Sequence, residues 1–263
     1  MGFGGGKPED FFPAARQAAL KALELNDGLA EAHASLAAIK YLYDWDWEST
    51  EKLLRRANEL NPSNTTVYRL HSRYLTSRGR YEEAIREGQR ACDLDPLSLH
   101  ANVSVATALY FARKYDEAIE QLLKVLELQP DFGPALMVLA LAWEQKSAFA
   151  KAISALELAR VYSAGNTTLL ACLAEAYGKA GLIDEAQSVL YNLVKMSKSR
   201  YVPAFDFAVI HFALGDKDKA LDYLEKAYLE RSPLLPLFLK TDPRFEALSL
   251  DARFRDLLHR VGL

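Results

Sequence analysis

Cysteine is scarce in this sequence, since Cys92 and Cys172 are the only two among 263 residues. Two cysteines cannot form the disulfide framework of a small secreted domain, and this favours a reducing compartment. Charged residues interrupt every apolar run before about 18 residues, so no segment is long enough to span a bilayer. The first residues also lack the basic and apolar regions of a secretory signal. We therefore expect this segment to be cytoplasmic, while a longer parent protein could still be anchored in a membrane.

A basic excess is also missing. Lysine and arginine number 32 against 35 aspartates and glutamates, and the formal net charge is -3. Proteins that bind nucleic acids or anionic membranes usually carry a basic excess or a basic stripe. Glycine and proline are few as well, at 13 and 10 residues, and half of the residues are apolar. The composition is that of a soluble globular protein, with neither nucleic acid nor membrane as a direct partner.

The sequence does contain an internal repeat. Three segments, NELNP, CDLDP and LELQP, end at Pro62, Pro96 and Pro130, which are separated by a constant period of 34 residues. The same period connects small residues from about residue 31 to about residue 234. One series is Ala38, Ser72, Ala106, Ala140, Ala174 and Ala208, and another is Ala84, Ala118, Ala152, Ala186 and Ala220.

Each repeated residue type has a structural reason. Two helices that cross closely need small side chains at the crossing, and alanine is also the best helix former. Gly79, Gly181 and Gly215 recur at one position of the period, where a left-handed residue can end the first helix of a pair. The prolines then end the second helix, because proline restricts the residue before it to an extended conformation.

These features resemble the tetratricopeptide family, whose repeat has 34 residues. The resemblance implies an all-α fold, a right-handed α-solenoid of antiparallel helix pairs. The predicted domains follow the period and comprise a flexible lead-in at 1–8, a partial repeat (second helix) at 9–30, six units at 31–64, 65–98, 99–132, 133–166, 167–200 and 201–234, and a C-terminal capping segment at 235–263.

The capping segment is predicted from its amphipathic pattern. Phe254, Leu257 and Leu258 share one helical face, while Arg253 and Arg260 lie on the opposite face. A solenoid needs such an element because its terminal repeat otherwise exposes an apolar face.

Three segments carry a finer resemblance to the C-terminal repeat region of many bacterial signalling proteins. They are HASLAAIKYLYDWDWESTEKLLRRANELNP, the segment around GRYEEAIREGQRACDLDP, and the ending TDPRFEALSLDARFRDLLHRVGL. In those proteins the repeats follow an effector domain, such as a winged-helix transcription regulator, an adenylate cyclase or a serine/threonine kinase. The resemblance implies a protein-interaction or sensory module. Because no effector domain is present in this sequence, the effectors' activities are not carried over.

Side chains suited to catalysis do not form a recognised motif. None of the five histidines has a metal-binding spacing such as H-E-x-x-H, and the two cysteines lie in different repeats at different positions. We therefore predict no enzyme, no catalytic residue, no metal and no cofactor.

The predicted binding surface is the concave groove lined by the first helix of each repeat. Arg69 and Arg73 lie one helical turn apart, where they could hold a carboxylate or a phosphate, or else be solvated or paired with neighbouring helices. The candidate groove residues are Tyr43, Arg69, Arg73, Thr107, Tyr110, Met137, Leu141, Glu144, Glu175, Lys179 and Phe205.

The expected partner is a peptide or protein held in this groove. One alternative is a scaffold that self-assembles and brings fused effector domains together, which would make the chain a homo-oligomer. A third hypothesis, a groove that binds a small molecule or performs a reaction, lacks the converging titratable residues that it would need.

Overall fold

The structure, a computed structural model, describes residues 6–163 and 165–263. Every regular element in this part of the chain is helical, and consecutive helices pack as pairs. The prediction of an all-α fold built from helix pairs is therefore confirmed. Residues 1–5 of the predicted lead-in, and Ala164 in the predicted unit 133–166, lie outside the described residues.

Most helices have between 10 and 18 residues. In chain order they are α1 (Pro8–Leu25), α2 (Ala30–Ile39), α3 (Trp47–Leu60), α4 (Thr65–Ser77), α5 (Tyr81–Leu94), α6 (Leu99–Phe111), α7 (Tyr115–Leu128), α8 (Gly133–Gln145), α9 (Phe149–Tyr162), α10 (Thr167–Lys179), α11 (Ile183–Met196), α12 (Ala204–Ala213), α13 (Lys217–Leu229), α14 (Leu234–Phe238) and α15 (Ala252–Val261). A π-helical turn, Lys40–Asp44, continues α2, and a 3-10 helix, Pro243–Leu248, precedes α15.

The helices begin at capping residues and cross at alanines. Asn64, Ser98 and Asn166 each accept a hydrogen bond from a backbone N–H in the first turn of the helix that follows. Ala118 and Ala152, like the other alanines of their series, have no exposed surface. Small side chains therefore occupy the positions where paired helices approach most closely.

One position of the repeat has a positive φ in every unit from Trp45 to Gly215. Glycine occupies it three times, with φ near 80°, and other residues adopt the same left-handed conformation where glycine is missing. The residues at this position are Trp45, Gly79, Arg113, Ser147, Gly181 and Gly215. A left-handed conformation costs a non-glycine residue about 1–2 kcal/mol. The packing of the helix pair therefore fixes where the first helix ends, and glycine at this position lowers the cost of the left-handed conformation.

The chain forms two compact units. The first, here called the N-terminal unit, consists of Lys7–Ala112 together with Arg231–Leu263. The second, here called the central unit, includes Arg113–Glu230. In the central unit Leu193, Phe207 and Ile210 belong to one buried apolar cluster. Each unit thus has its own apolar interior.

In the N-terminal unit the chain's C-terminal segment packs on the first repeats. Helix α14 contacts α4 and the π-helical turn. At the end of the segment, Trp47 donates its indole N–H to the carbonyl of Val261 at 3.0 Å, and Arg78 donates to the carbonyl of Gly262 at 2.9 Å. Phe254 and Leu257 are buried while Arg253 is exposed, as the amphipathic pattern of α15 indicates.

Candidate functional site

Two arginines on α4 form the cationic centre of the candidate site. Arg69 and Arg73 are separated by one helical turn, and both are half-buried. Among residues 6–163 and 165–263, neither guanidinium has an ion-pair partner. Burial and the neighbouring charge of Arg73 lower the pKa of Arg69. The charged form of Arg69 is therefore less favourable than that of a solvated or ion-paired arginine.

The backbone of α4 is hydrogen-bonded to the preceding repeat beside these arginines. The buried hydroxyl of Tyr41, at the end of the first helix of the preceding repeat, donates to the carbonyl of Arg73 at 3.3 Å and also contacts the hydroxyl of Ser77. Burial raises the pKa of Tyr41, so this hydroxyl keeps its proton. The helix that carries the arginine pair is therefore hydrogen-bonded to the preceding repeat.

A different electrostatic arrangement occurs in the central unit. Lys179 on α10 donates to Glu175 at 2.6 Å on its own helix and to Glu144 on α8 at 2.9 Å. The carboxylate side chains are almost fully buried, at 3% and 0% exposure. Burial disfavours the ammonium, but the two carboxylates outweigh it, and the pKa of Lys179 is raised. Three predicted groove residues thus form one internal ionic cluster.

Several other predicted groove residues are committed to internal packing. Tyr43 stacks on Phe12 of α1 with ring centres 4.8 Å apart. Tyr110 is buried and donates to Asp242 of the C-terminal segment at 3.4 Å. Leu141 and Phe205 are buried among apolar neighbours. The Thr107 hydroxyl donates to the carbonyl of Val103 at 2.7 Å, and Met137 is half-buried. The assignment of all these residues to a groove stays a prediction.

The C-terminal segment also lies against side chains from the first repeats. The guanidinium of Arg231 lies 4.2 Å from the ring centre of Trp45, and the rings of Phe111 and Phe238 are 6.0 Å apart. Asp242 and Arg244 form a buried ion pair at 2.7 Å. The 34-residue period contains no signal for these contacts, because it does not relate residues 231–263 to the first repeats.

The structure contains no group of three or more histidine, cysteine or carboxylate side chains that could hold a metal, within the residues that it describes. The same residues contain no helix that combines the length and the apolar character needed to cross a bilayer.

Family comparisons identify the repeats. Models of the tetratricopeptide repeat match residues 106–166 and 205–230. The chain therefore contains tetratricopeptide repeats, and this part of the resemblance is confirmed.

A curated relative and several solved structures are similar to the chain. The TPR repeat-containing protein YpiA of Bacillus subtilis is 25% identical over 202 residues, which are 75% of this chain and 44% of YpiA, so the chain spans less than half of that relative. A tetratricopeptide repeat protein of Parabacteroides merdae is 13% identical, with a TM-score of 0.60 and coverage of 97% of this chain and 94% of that one. Human IFIT1, solved as a dimer with m7Gppp-AAAA, is 18% identical, with a TM-score of 0.64 and coverage of 95% and 64%. These structural similarities show the fold alone.

Proposed function

We propose that this chain is a protein-interaction module that binds an acidic peptide segment of another protein through Arg69 and Arg73. The observation that carries the proposal is the half-buried arginine pair, which has no carboxylate partner within the described residues. The tetratricopeptide fold is consistent with a role in protein–protein interaction.

Two other arginines of the same unit, Arg80 and Arg90, are neutralised within the chain. Arg80 donates to Glu83 at 2.7 Å and to Glu51 at 3.0 Å, and Arg90 pairs with Glu87 at 2.8 Å. A carboxylate supplied by a partner would relieve the repulsion between Arg69 and Arg73 and form charge-assisted hydrogen bonds with both. The gain is larger than at the solvated surface because both guanidinium groups are half-buried.

The spacing of the two arginines suits an extended peptide. Residues four apart on a helix have Cβ atoms about 5–6 Å apart. Alternate residues of an extended strand are separated by about 6.6 Å and point to the same side. Aspartate or glutamate at every second position of a peptide would therefore place one carboxylate near each arginine.

The proposed biological setting is a bacterial signalling protein. Its support is the similarity of the DWDW-containing segment and of the C-terminal ending to the repeat regions of such proteins. In this setting an effector domain belongs to the parent protein, and the repeats supply its sensory or partner-binding part in the cytoplasm.

Fluorescence polarisation with a labelled peptide of alternating glutamate and alanine tests the proposal. The double variant Arg69→Gln/Arg73→Gln should weaken binding by at least about tenfold, since a hydrogen bond to a charged group contributes about 1.5–3 kcal/mol. Thr107→Glu, which adds a carboxylate at the position of Arg73 one repeat later, should weaken binding by neutralising the arginines internally.

Arg90→Gln is the matched control, because it removes an arginine of α5 that is already paired with Glu87. It should leave the affinity within about twofold, because the Arg90 side chain is 61% exposed and is not part of the proposed site. Equal affinities for the wild type and the double variant would contradict the proposal.

A further inference from the structure

The second helices of the repeats differ in surface chemistry. On α3 of the N-terminal unit and α7 of the central unit, charged residues pair along the helix, as in Lys52–Glu48 at 2.6 Å and Lys124–Glu120 at 2.8 Å. Helices α9 and α11 of the central unit have the same place in their repeats but expose large apolar side chains. These are Leu158, Val161, Tyr162, Ile183, Tyr191 and Val194. Exposed apolar side chains mark an interaction site on a soluble protein when they form one patch.

A cleft of about 650 Å³ lies between α9 and α11, with α10 as its floor. Its apolar lining consists of Val161, Leu170, Leu173, Tyr177, Val189 and Met196. Val161 stands at the edge of this α9–α11 cleft with 70% of its surface exposed. The same surface therefore offers both a concave apolar site and a protruding apolar side chain.

Charges of opposite sign lie on the rim of the cleft. Arg160 contacts Glu157 through its Nε and Nη2 atoms, at 2.8 and 2.6 Å, and its side chain is 54% exposed. Glu185 is exposed and has no ion-pair partner within the described residues. Because guanidinium has five N–H donors in a planar fork, Arg160 can donate to a further carboxylate while it keeps its contact with Glu157.

We propose that two copies of this chain associate through their α9–α11 clefts around a two-fold axis, with Val161 of each copy entering the cleft of the other. A two-fold interface requires a patch that is complementary to itself. The protruding Val161 beside a cleft meets this requirement in shape. Arg160 and Glu185 meet it in charge, since Arg160 has N–H donors beyond those that contact Glu157 and Glu185 of the other copy has no ion-pair partner within the described residues. A second copy of the chain supplies both the negative charge for Arg160 and the positive charge for Glu185. A different protein with an apolar helix would match the cleft in shape but has no such reason to match both charges.

The mass of the full chain in solution tests the proposal. Sedimentation velocity from about 1 to about 200 µM, the range of a modest interface, should show a concentration-dependent shift from one chain to two. Val161→Glu should weaken this association by about tenfold or more, because a carboxylate would be buried in an apolar cleft. Leu97→Glu is the matched control, since Leu97 is 74% exposed outside the cleft. It should associate like the wild type.

Charge reversal tests the predicted pairing directly. Arg160→Glu and Glu185→Arg should each associate more weakly than the wild type, because like charges would face each other across the two-fold axis. An equimolar mixture of the two variants should recover dimers, since every pair in the mixed dimer has opposite charges.

The proposal is overturned if the wild type has the mass of one chain at every concentration, which would assign the cleft to a different protein. It is also overturned if Val161→Glu associates as strongly as Leu97→Glu, or if mixing the charge variants recovers no dimer. Because the Arg69→Gln/Arg73→Gln variant leaves the cleft intact, it should still dimerise, so failure of peptide binding and failure of dimerisation are distinguishable.

Discussion

Helices α4 and α10 are both the first helices of their repeats, but they differ in how their charged side chains are paired. Arg73 on α4 and Glu175 on α10 occupy the same position of the repeat, three periods apart. Glu175 is buried against Lys179, which also reaches Glu144 on the preceding first helix. Arg73 has no ion-pair partner among the residues that the structure describes, and a second arginine, Arg69, lies one turn away on the same helix. Equivalent positions of the fold therefore hold a neutralised interior cluster in one unit and an uncompensated cation pair in the other.

This difference separates stability from binding. A buried carboxylate pair bridged by an ammonium depends on that ammonium, because its removal would leave uncompensated charge in a medium of low dielectric constant. A half-buried cation pair without counter-charge destabilises the helix that carries it, and under our proposal a bound acidic peptide would supply the missing counter-charge. One position of the repeat, occupied by Arg73 on α4 and by Glu175 on α10, can therefore hold either kind of charged group. The neighbouring side chains determine whether its charge is neutralised within the chain.

The largest expected effect is on the α10 side of this comparison. Lys179→Met removes the ammonium from two buried carboxylates and should lower the free energy of unfolding by about 3–5 kcal/mol. Urea denaturation followed by circular dichroism measures the change. Lys195→Met, at an exposed position of α11, is the control and should change stability by less than about 0.5 kcal/mol. Similar losses in the two variants would contradict an internal role for Lys179.

The raised pKa of Lys179 also gives this contribution a defined pH dependence. Because the pKa is higher in the folded state, the stabilisation is fully present below the unfolded pKa of about 10.4 and is lost as the pH rises through the folded value. Lys179→Met should therefore be less sensitive than the wild type to alkaline pH.

A smaller effect of opposite sign is expected on α4. Like charges four residues apart on a helix destabilise it by about 0.2–0.5 kcal/mol, so Arg73→Gln should raise the free energy of unfolding by about this amount. Arg55→Gln is the matched comparison, because Arg55 pairs with Glu51 at 2.8 Å with the same spacing on α3. That variant should lose stability by a similar amount. Parallel urea titrations decide the sign, and destabilisation by Arg73→Gln would show that its guanidinium has a role within the fold.

The repeat period predicts some of these features and not others. The all-α class and the crossings at Ala118 and Ala152 depend on residues that recur every 34 positions, so the sequence alone predicts them. The left-handed conformations of Arg113 and Ser147 have no signature in residue type, because only glycine signals a positive φ.

The period also cannot show which charged side chains find partners. Spacing places Arg69 and Arg73 on one face, and Glu175 and Lys179 on another. The second carboxylate of Lys179, Glu144, lies 35 residues away on a neighbouring helix, and that pairing depends on side-chain geometry. The contacts of the C-terminal segment are still more distant, since Trp47 and Val261 are separated by 214 residues. Such contacts are set by the tertiary fold.

The smallest expected effect is a change in the pKa of His100 when the charge of its neighbour Arg69 is removed. Loss of solvent contact and the positive charge of Arg69 lower the pKa of His100. Arg69→Gln should therefore raise the pKa of His100 by a fraction of a pH unit, as followed by NMR titration of the imidazole ring and assigned with His100→Gln. An unchanged titration would show that the charge of Arg69 does not reach this site.

The same linkage predicts how pH affects peptide binding. Because folding lowers the pKa of His100, the folded state disfavours protonation of this imidazole. The contribution of His100 to stability is therefore fully present above the ordinary histidine pKa of about 6.5 and declines as the pH falls. A carboxylate bound at Arg69 would cancel part of the positive field that causes the shift, so the peptide should raise the pKa of His100. Proton binding and peptide binding then favour each other, and the affinity should increase modestly from pH 7.5 to about pH 6. His100→Gln should abolish this increase while it leaves binding at pH 7.5 intact. If the affinity still increases at low pH in that variant, protonation of another group near α4 is responsible, and His100 does not cause the pH dependence of peptide binding.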